Sequence, residues 1–153
     1  MEYSDIPLGV KFAIIHRAFR REVDAMLREK GLTAAQFGVL NALDRLEHEG
    51  AAEINQRDVE AMCRSTHPTM TEMLKKLEKK GFIETRVSET DRRRKIVCRT
   101  ERAKELGRET VQVDEETFAK FSAGLDGAQT AQLETMLDAL LRNVCGSEKE
   151  DEA

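Results

Sequence analysis

The sequence has no tryptophan, one tyrosine (Tyr3) and six phenylalanines among 153 residues. Binding single strands by base stacking requires a platform of exposed aromatic rings, and this composition argues against one. Cysteine is also scarce. Cys63, Cys98 and Cys145 are odd in number, far apart and without a CxxC pair. They suggest no disulfide framework and read as reduced, packed thiols of a cytosolic protein. No apolar run approaches the ~20 residues of a membrane span. The opening MEYSDIPLGV is acidic and lacks the basic and apolar regions of a secretory signal. Also missing are a close set of metal ligands (His16, His48 and His67 stand alone), a phosphate-binding glycine loop, a nucleophile elbow and a carboxylate pair placed for acid–base work. Neither enzyme chemistry nor a metal or other cofactor is expected.

What the sequence does hold is charge, unevenly spread. The formal net charge is −4. Residues 51–100 nevertheless carry 12 lysines and arginines against 8 acidic residues, or +4, while residues 101–153 carry 6 against 13, or −7. The basic middle hides behind an acidic total, and local charge decides whether a polyanion can dock. Its densest point is SETDRRRKIV at 88–97, where Arg92, Arg93, Arg94 and Lys95 stand in a row.

Apolar spacing predicts a mainly α fold with a small β element. Phe12, Ile15, Phe19, Val23 and Leu27 recur every three or four residues, giving a helix over about 8–30 that Gly31 ends. Thr33 and Gln36 form a capping-box pattern for a second helix reaching Gly50. Ala52 to Ile54 suits only a small strand. Asn55, with Asp58 three residues on, caps a short helix through Val59 and Met62. After a polar turn at Arg64, Ser65 and Thr66, Pro68 fits the first turn of a helix burying Met70, Met73, Leu74 and Leu77, closed by Gly81. Residues 82–87 and 95–99 are β-prone runs around a charged loop, a hairpin. Thr100 caps a helix to about Ala123. Asp126 or Thr130 starts the last helix, striped by Leu133, Met136, Leu137, Leu140, Leu141 and Val144. The remaining GSEKEDEA is expected to be a disordered tail.

Short strand, short helix, tight turn, longer helix and basic hairpin, in that order, make a winged helix-turn-helix. A helix fits the major groove of duplex DNA, and its N-terminal residues reach base edges. Here those residues are Ser65, Thr66, His67, Pro68, Thr69 and Thr71, with Lys75 and Lys76 further along for phosphates. The hairpin, with Arg86, Asp91, Arg92, Arg93, Arg94 and Lys95, suits the neighbouring minor groove. The first and last helices carry apolar stripes outside this unit, Phe12 and Ile15 on one and Leu133 to Val144 on the other, and both need a partner surface. The alternative is a winged-helix module that binds protein and not DNA, for which an exposed apolar recognition face would be expected.

The stretch THPTMTEMLKKLEKKGFIETRVSETDRRRKIVCRT resembles the DNA-binding core of the multiple antibiotic resistance regulator (MarR) family. Asp91, Arg92 and Arg93 match the family's Asp-x-Arg wing, Thr100 its helix start, and Leu77, Gly81, Phe82 and Ile83 its exit from the recognition helix; GLTAAQFGVL resembles the start of its second helix. One departure is Arg99, where the family usually has an apolar residue and where a contact to the backbone or another helix is expected instead. The resemblance implies one MarR-like domain over 1–153, with 32–100 as the winged core, 6–30 and 101–145 as dimerisation helices and 146–153 as tail. It also implies a cytoplasmic homodimer on a pseudo-palindromic operator, commonly a repressor released by an effector. Within it, Asp91 braces Arg93, and His16, Phe19, Arg20 and Phe37 line an effector pocket between the dimer helices and the winged domain.

Overall fold

The computed structural model describes residues 3–147. A 3₁₀ turn at Tyr3–Asp5 precedes α1 (Leu8–Glu29), α2 (Ala34–His48), α3 (Gln56–Cys63), α4 (His67–Lys79), β1 (Ile83–Val87), β2 (Lys95–Arg99), α5 (Glu101–Phe121) and α6 (Gly127–Ser147). The chain divides into two compact units, one ending at Glu115 and the other starting at Glu116. No helix of the described residues is long and apolar enough to cross a membrane. Of the expected tail at 146–153, Gly146 and Ser147 belong to the end of α6, and the rest lies outside the described residues, as does the side chain of Cys145.

Local chemistry sets the element boundaries. Thr33 Oγ1 accepts from the Gln36 N–H at 3.2 Å while Gln36 Oε1 accepts from the Thr33 N–H at 3.2 Å, so each satisfies an orphan donor of the other's first turn. Asn55 and Asp58 do the same for α3, and Asp126 and Gln129 for α6. Gly81, at φ +74°, closes α4 in a left-handed conformation that a side chain would strain. Thr66 takes the N-cap position of α4, but its side chain makes no cap hydrogen bond; its hydroxyl instead donates to Thr69 Oγ1 at 2.9 Å. Thr100 sits before α5, and its hydroxyl donates back to the Gly81 carbonyl at 2.8 Å, tying the hairpin's end to the end of α4.

The core of the first unit lies where α2, α3, α4, the hairpin and the first turns of α5 meet. Leu43, Val59, Met70, Leu77, Phe82 and Leu106 are essentially inaccessible, and full burial of such a side chain is worth about 1.5–3 kcal/mol. β1 and β2 pair antiparallel with Ile83 opposite Arg99, Thr85 opposite Val97 and Val87 opposite Lys95. The predicted strand at Ala52 to Ile54 is not formed as an element; what remains is one bond, from the Val97 N–H to the Ile54 carbonyl at 2.7 Å. Three residues are too few to continue a ladder once Asn55 turns to cap α3.

Candidate nucleic-acid interface

α3 leads into α4 through a tight turn. Arg64 adopts the left-handed conformation at φ +48°, a strained choice for a residue with a Cβ, and the Ser65 N–H returns to the Glu60 carbonyl at 3.0 Å. Met70, Leu74 and Leu77 bury one face of α4, and the packed face leaves Thr66, His67, Pro68 and Thr69 exposed at its start. Ser65 and Thr71 are half-buried. Lys75 and Lys76 are exposed a turn later, Lys76 in an i,i+4 pair with Glu72 at 3.2 Å.

The first turn of α4 is held by residues that sequence reasoning passed over. Gln56, opening α3, places its amide nitrogen 2.7 Å from Glu60 Oε1, 2.7 Å from Thr71 Oγ1 and 3.3 Å from the His67 carbonyl. His67 Nδ1 lies 2.7 Å from Glu60 Oε1. The Gln56 hydrogen bond above all, then that of His67, holds the Glu60 carboxyl below its ordinary value against the opposing pull of burial. The Thr71 hydroxyl donates to the His67 carbonyl at 2.9 Å and accepts from Gln56, so it serves the protein and not a free surface.

The hairpin loop is equally built. Ser88, 3% exposed, donates to both oxygens of Glu53 at 2.7–2.8 Å and accepts from the backbone of Thr90 and Asp91. The Glu89 N–H and Thr90 hydroxyl reach the same carboxylate. These contacts, Ser88 foremost, hold the Glu53 carboxyl below its ordinary value, with help from the charge of Arg94. Asp91 Oδ1 accepts from the Arg93 backbone N–H at 2.9 Å. The brace between these two residues therefore acts on the main chain rather than on the guanidinium. Arg92, Arg93, Arg94 and Lys95 are all exposed, and among the described residues no ion pair engages Arg92, Arg93 or Lys95. Arg86 pairs with its neighbour Glu84.

Helix and hairpin flank one cleft of about 420 Å³, lined by Thr71, Lys75 and Glu78 on one side and Arg86, Val87 and Lys95 on the other. A bond from the Thr85 N–H to Glu78 Oε1 at 2.9 Å fixes the two elements to each other. Apart from the Gln56–Glu60 pair, the partners of Glu53, Gln56 and Glu60 stand 7–37 residues away, so no local pattern marked them for the site.

Of the four residues expected for effector binding, His16, Phe19 and Arg20 lie on α1 and Phe37 on α2. Phe37 lines a cavity of about 650 Å³ with Asn41, Asp44, His48, Arg99 and Val111, whereas His16, Phe19 and Arg20 are not in its lining. Arg20 pairs with Asp24 at 3.0 Å. Arg99 contacts another helix, as anticipated: it reaches Glu47 at 2.6 Å and Asp44 at 2.6 Å on α2. Cys63 and Cys98 are free and half-buried, and burial pushes both thiols up. No group of three or more potential metal-binding His, Cys, Asp or Glu residues occurs among the described residues.

A capped short helix, a left-handed turn, a helix with a polar exposed start and a basic hairpin across one cleft define a winged helix-turn-helix protein. Residues 30–94 match the model of the MarR family. The fold is shared at length with S. aureus MepR, a transcription regulator of the multidrug efflux pump MepA: TM-score 0.73, 21% identity, 91% of this chain and 99% of that one. MepR in complex with DNA gives 0.72, with 22% identity over 89% and 98% of the two chains. MepR bound to ethidium bromide gives 0.66, with 21% identity over 92% and 98%.

Proposed function

We propose that this chain is a transcriptional regulator that binds duplex DNA in a sequence-specific manner, as a cytoplasmic homodimer on a pseudo-palindromic operator, and acts as a ligand-responsive repressor. The observation that carries the reading is the pairing of an exposed polar start of α4, Thr66 to Thr69, with a basic hairpin whose Arg92, Arg93 and Lys95 make no ion pair among the described residues. Ser65, Thr66, His67, Pro68 and Thr69 face bases, Lys75 and Lys76 face phosphates, and Arg86 with Arg92 to Lys95 follows the backbone into the minor groove. Asp91 shapes the tip that carries Arg93. The DNA complex of MepR supports the same use of the fold. Dimerisation is supported by apolar side chains left about half exposed on α1 (Phe12, Ile15) and α6 (Met136, Leu140, Leu141, Val144). A two-fold axis would set two copies of α4 about one duplex turn apart. Effector response is supported by the cavity at Phe37 and by the ethidium complex of MepR.

The test is a salt titration on duplex and single-stranded probes. Each neutralised phosphate contributes a log–log slope of about −0.9, so ~6 contacts per dimer cost roughly 10³-fold in affinity between 50 and 200 mM salt. Steep salt dependence with preference for the duplex is expected. A flat response, or equal affinity for single strands, counts against the reading.

A further inference from the structure

The contacts around His67 determine which of its ring atoms can meet a ligand. Glu60 carries a carboxyl held below its ordinary value by Gln56 and then by His67. An ionised carboxylate accepts hydrogen bonds and donates none. The 2.7 Å contact from His67 Nδ1 to Glu60 Oε1 therefore requires the hydrogen on Nδ1. Gln56 supplies only two amide hydrogens, and its two shortest contacts, to Glu60 Oε1 and Thr71 Oγ1, use both. Its nitrogen also lies 3.2 Å from His67 Nδ1, where donor faces donor, so that approach is a neighbour contact and not a competing bond. The backbone of His67 is pinned as well, its carbonyl accepting from Thr71. The His67 side chain is 71% exposed while that of Glu60 is 15% exposed. One ring nitrogen is committed to the protein, and Nε2 is the one left to face outward.

We propose that Glu60 is a positioning residue that fixes His67 in the Nδ1–H tautomer, so that neutral His67 presents Nε2 as an acceptor and reads a base carrying an exocyclic amino group in the major groove. In that groove the donor edges are adenine N6 and cytosine N4, whereas guanine and thymine offer acceptors. The expected preference is adenine or cytosine at one position of each half-site. The inference rests on the DNA-binding reading above and adds to it the chemistry of one contact and the residue that sets it. Free neutral imidazole favours the opposite tautomer, with hydrogen on Nε2, so the preference depends on Glu60.

Two measurements test this. Ring ¹⁵N–¹H correlation spectra of the wild-type protein, taken at a pH high enough that the spectrum no longer changes and the ring is neutral, should show Nδ1 protonated and Nε2 bare. A protonated Nε2 under those conditions overturns the proposal, and this measurement needs no variant to fold. Selection from random duplexes at the same pH and in matched salt should then compare wild type, His67→Ala, Glu60→Ala and the double variant. Glu60→Ala should relax the same single position as His67→Ala by about 3- to 10-fold, the range of one hydrogen bond. The double variant should relax it no further, and the remaining motif and the salt slope should hold. If Glu60→Ala leaves that position intact, or weakens all positions equally, the proposal is wrong while DNA binding stands. If the wild type selects no duplex motif, the DNA-binding reading fails and this inference fails with it.

Discussion

Arg99 is the sharpest departure from the MarR pattern that the sequence resembles, and its surroundings explain how a charge is accommodated there. Its side chain is only 9% exposed, yet Nη1 meets Asp44 at 2.6 Å, Nη2 meets Glu47 at 2.6 Å and Nε donates to Glu47 at 3.2 Å. Burial opposes the charge, but the two carboxylates outweigh it, and the guanidinium pKa is raised. The planar fork joins the last turns of α2 to the end of β2 in a way a lysine cannot reproduce. Arg99→Ala should therefore destabilise the protein by about 1–3 kcal/mol, less than a fully buried pair would lose because Asp44 and Glu47 keep access to water. Arg99→Lys should recover only part of this. Urea denaturation of the three proteins decides it, and an unchanged midpoint for Arg99→Ala would mean that the network adds nothing net. The anomaly at Arg99 was legible in the sequence, but its partners were not. Asp44 and Glu47 sit among other charges on α2 and have no local feature pointing to a residue more than 50 positions away. Gln56 and Glu60 escaped notice for the same reason, whereas exposed Thr66, His67, Pro68 and Thr69 followed directly from the N-terminal end of an amphipathic helix.

Caps and closing glycines were legible because their chemistry is local: Thr33 with Gln36, Asn55 with Asp58 and Gly81 each act within one helical turn. The hairpin was legible as two β-prone runs, but its loop was not, since what orders it is Glu53, from the connection before α3. That carboxylate gathers Ser88, Glu89 and Thr90 into one arrangement. It sets the base of the basic tip, while Asp91 sets the turn at Arg93. A carboxyl whose folded pKa is depressed contributes stability above its unfolded value and loses that contribution as pH falls through the folded value. The loop should therefore be fully ordered near neutrality and begin to loosen in acid, below the ordinary range of a glutamate, before the core unfolds. Amide exchange at Glu89, Thr90 and Asp91, followed as pH is lowered with correction for intrinsic rates, checks this. Glu53→Gln should show the loosened loop already at neutral pH, with the core unaffected. Protection in that variant equal to wild type would mean that the hairpin orders itself.

Apolar side chains concentrate on two helices without being buried in the single chain. Phe12, Ile14 and Ile15 on α1 and Met136, Leu140, Leu141 and Val144 on α6 are each between 47% and 60% exposed. Scattered exposed leucines are ordinary, whereas apolar residues recurring along a helix face mark a surface made to be covered. The stripe itself was legible from the spacing of Leu133, Met136, Leu137, Leu140, Leu141 and Val144, but spacing cannot say whether a stripe is covered by its own chain or by another. In the folded chain Leu133 and Leu137 are half-buried while the other four remain open. Intramolecular packing thus takes part of the stripe and leaves the rest exposed. If a second copy supplies the cover, folding is linked to association by mass action, and the melting temperature should rise with protein concentration. Leu137→Asp with Leu141→Asp puts two charges where apolar area would be removed from water, a cost of several kcal/mol that no partner in the stripe offsets. The pair should give monomer or unfolded chain. Leu141→Asp alone, at a position 58% exposed in the single chain, should leave the winged unit folded while weakening the dimer. Sedimentation velocity over a hundredfold dilution, with circular dichroism on the same samples, separates these outcomes. A folded dimer persisting in the double variant would place the interface away from α6. A wild type that stays monomeric at every concentration would leave the exposed faces of α1 and α6 for a different partner and would remove the two-fold axis from the proposed operator.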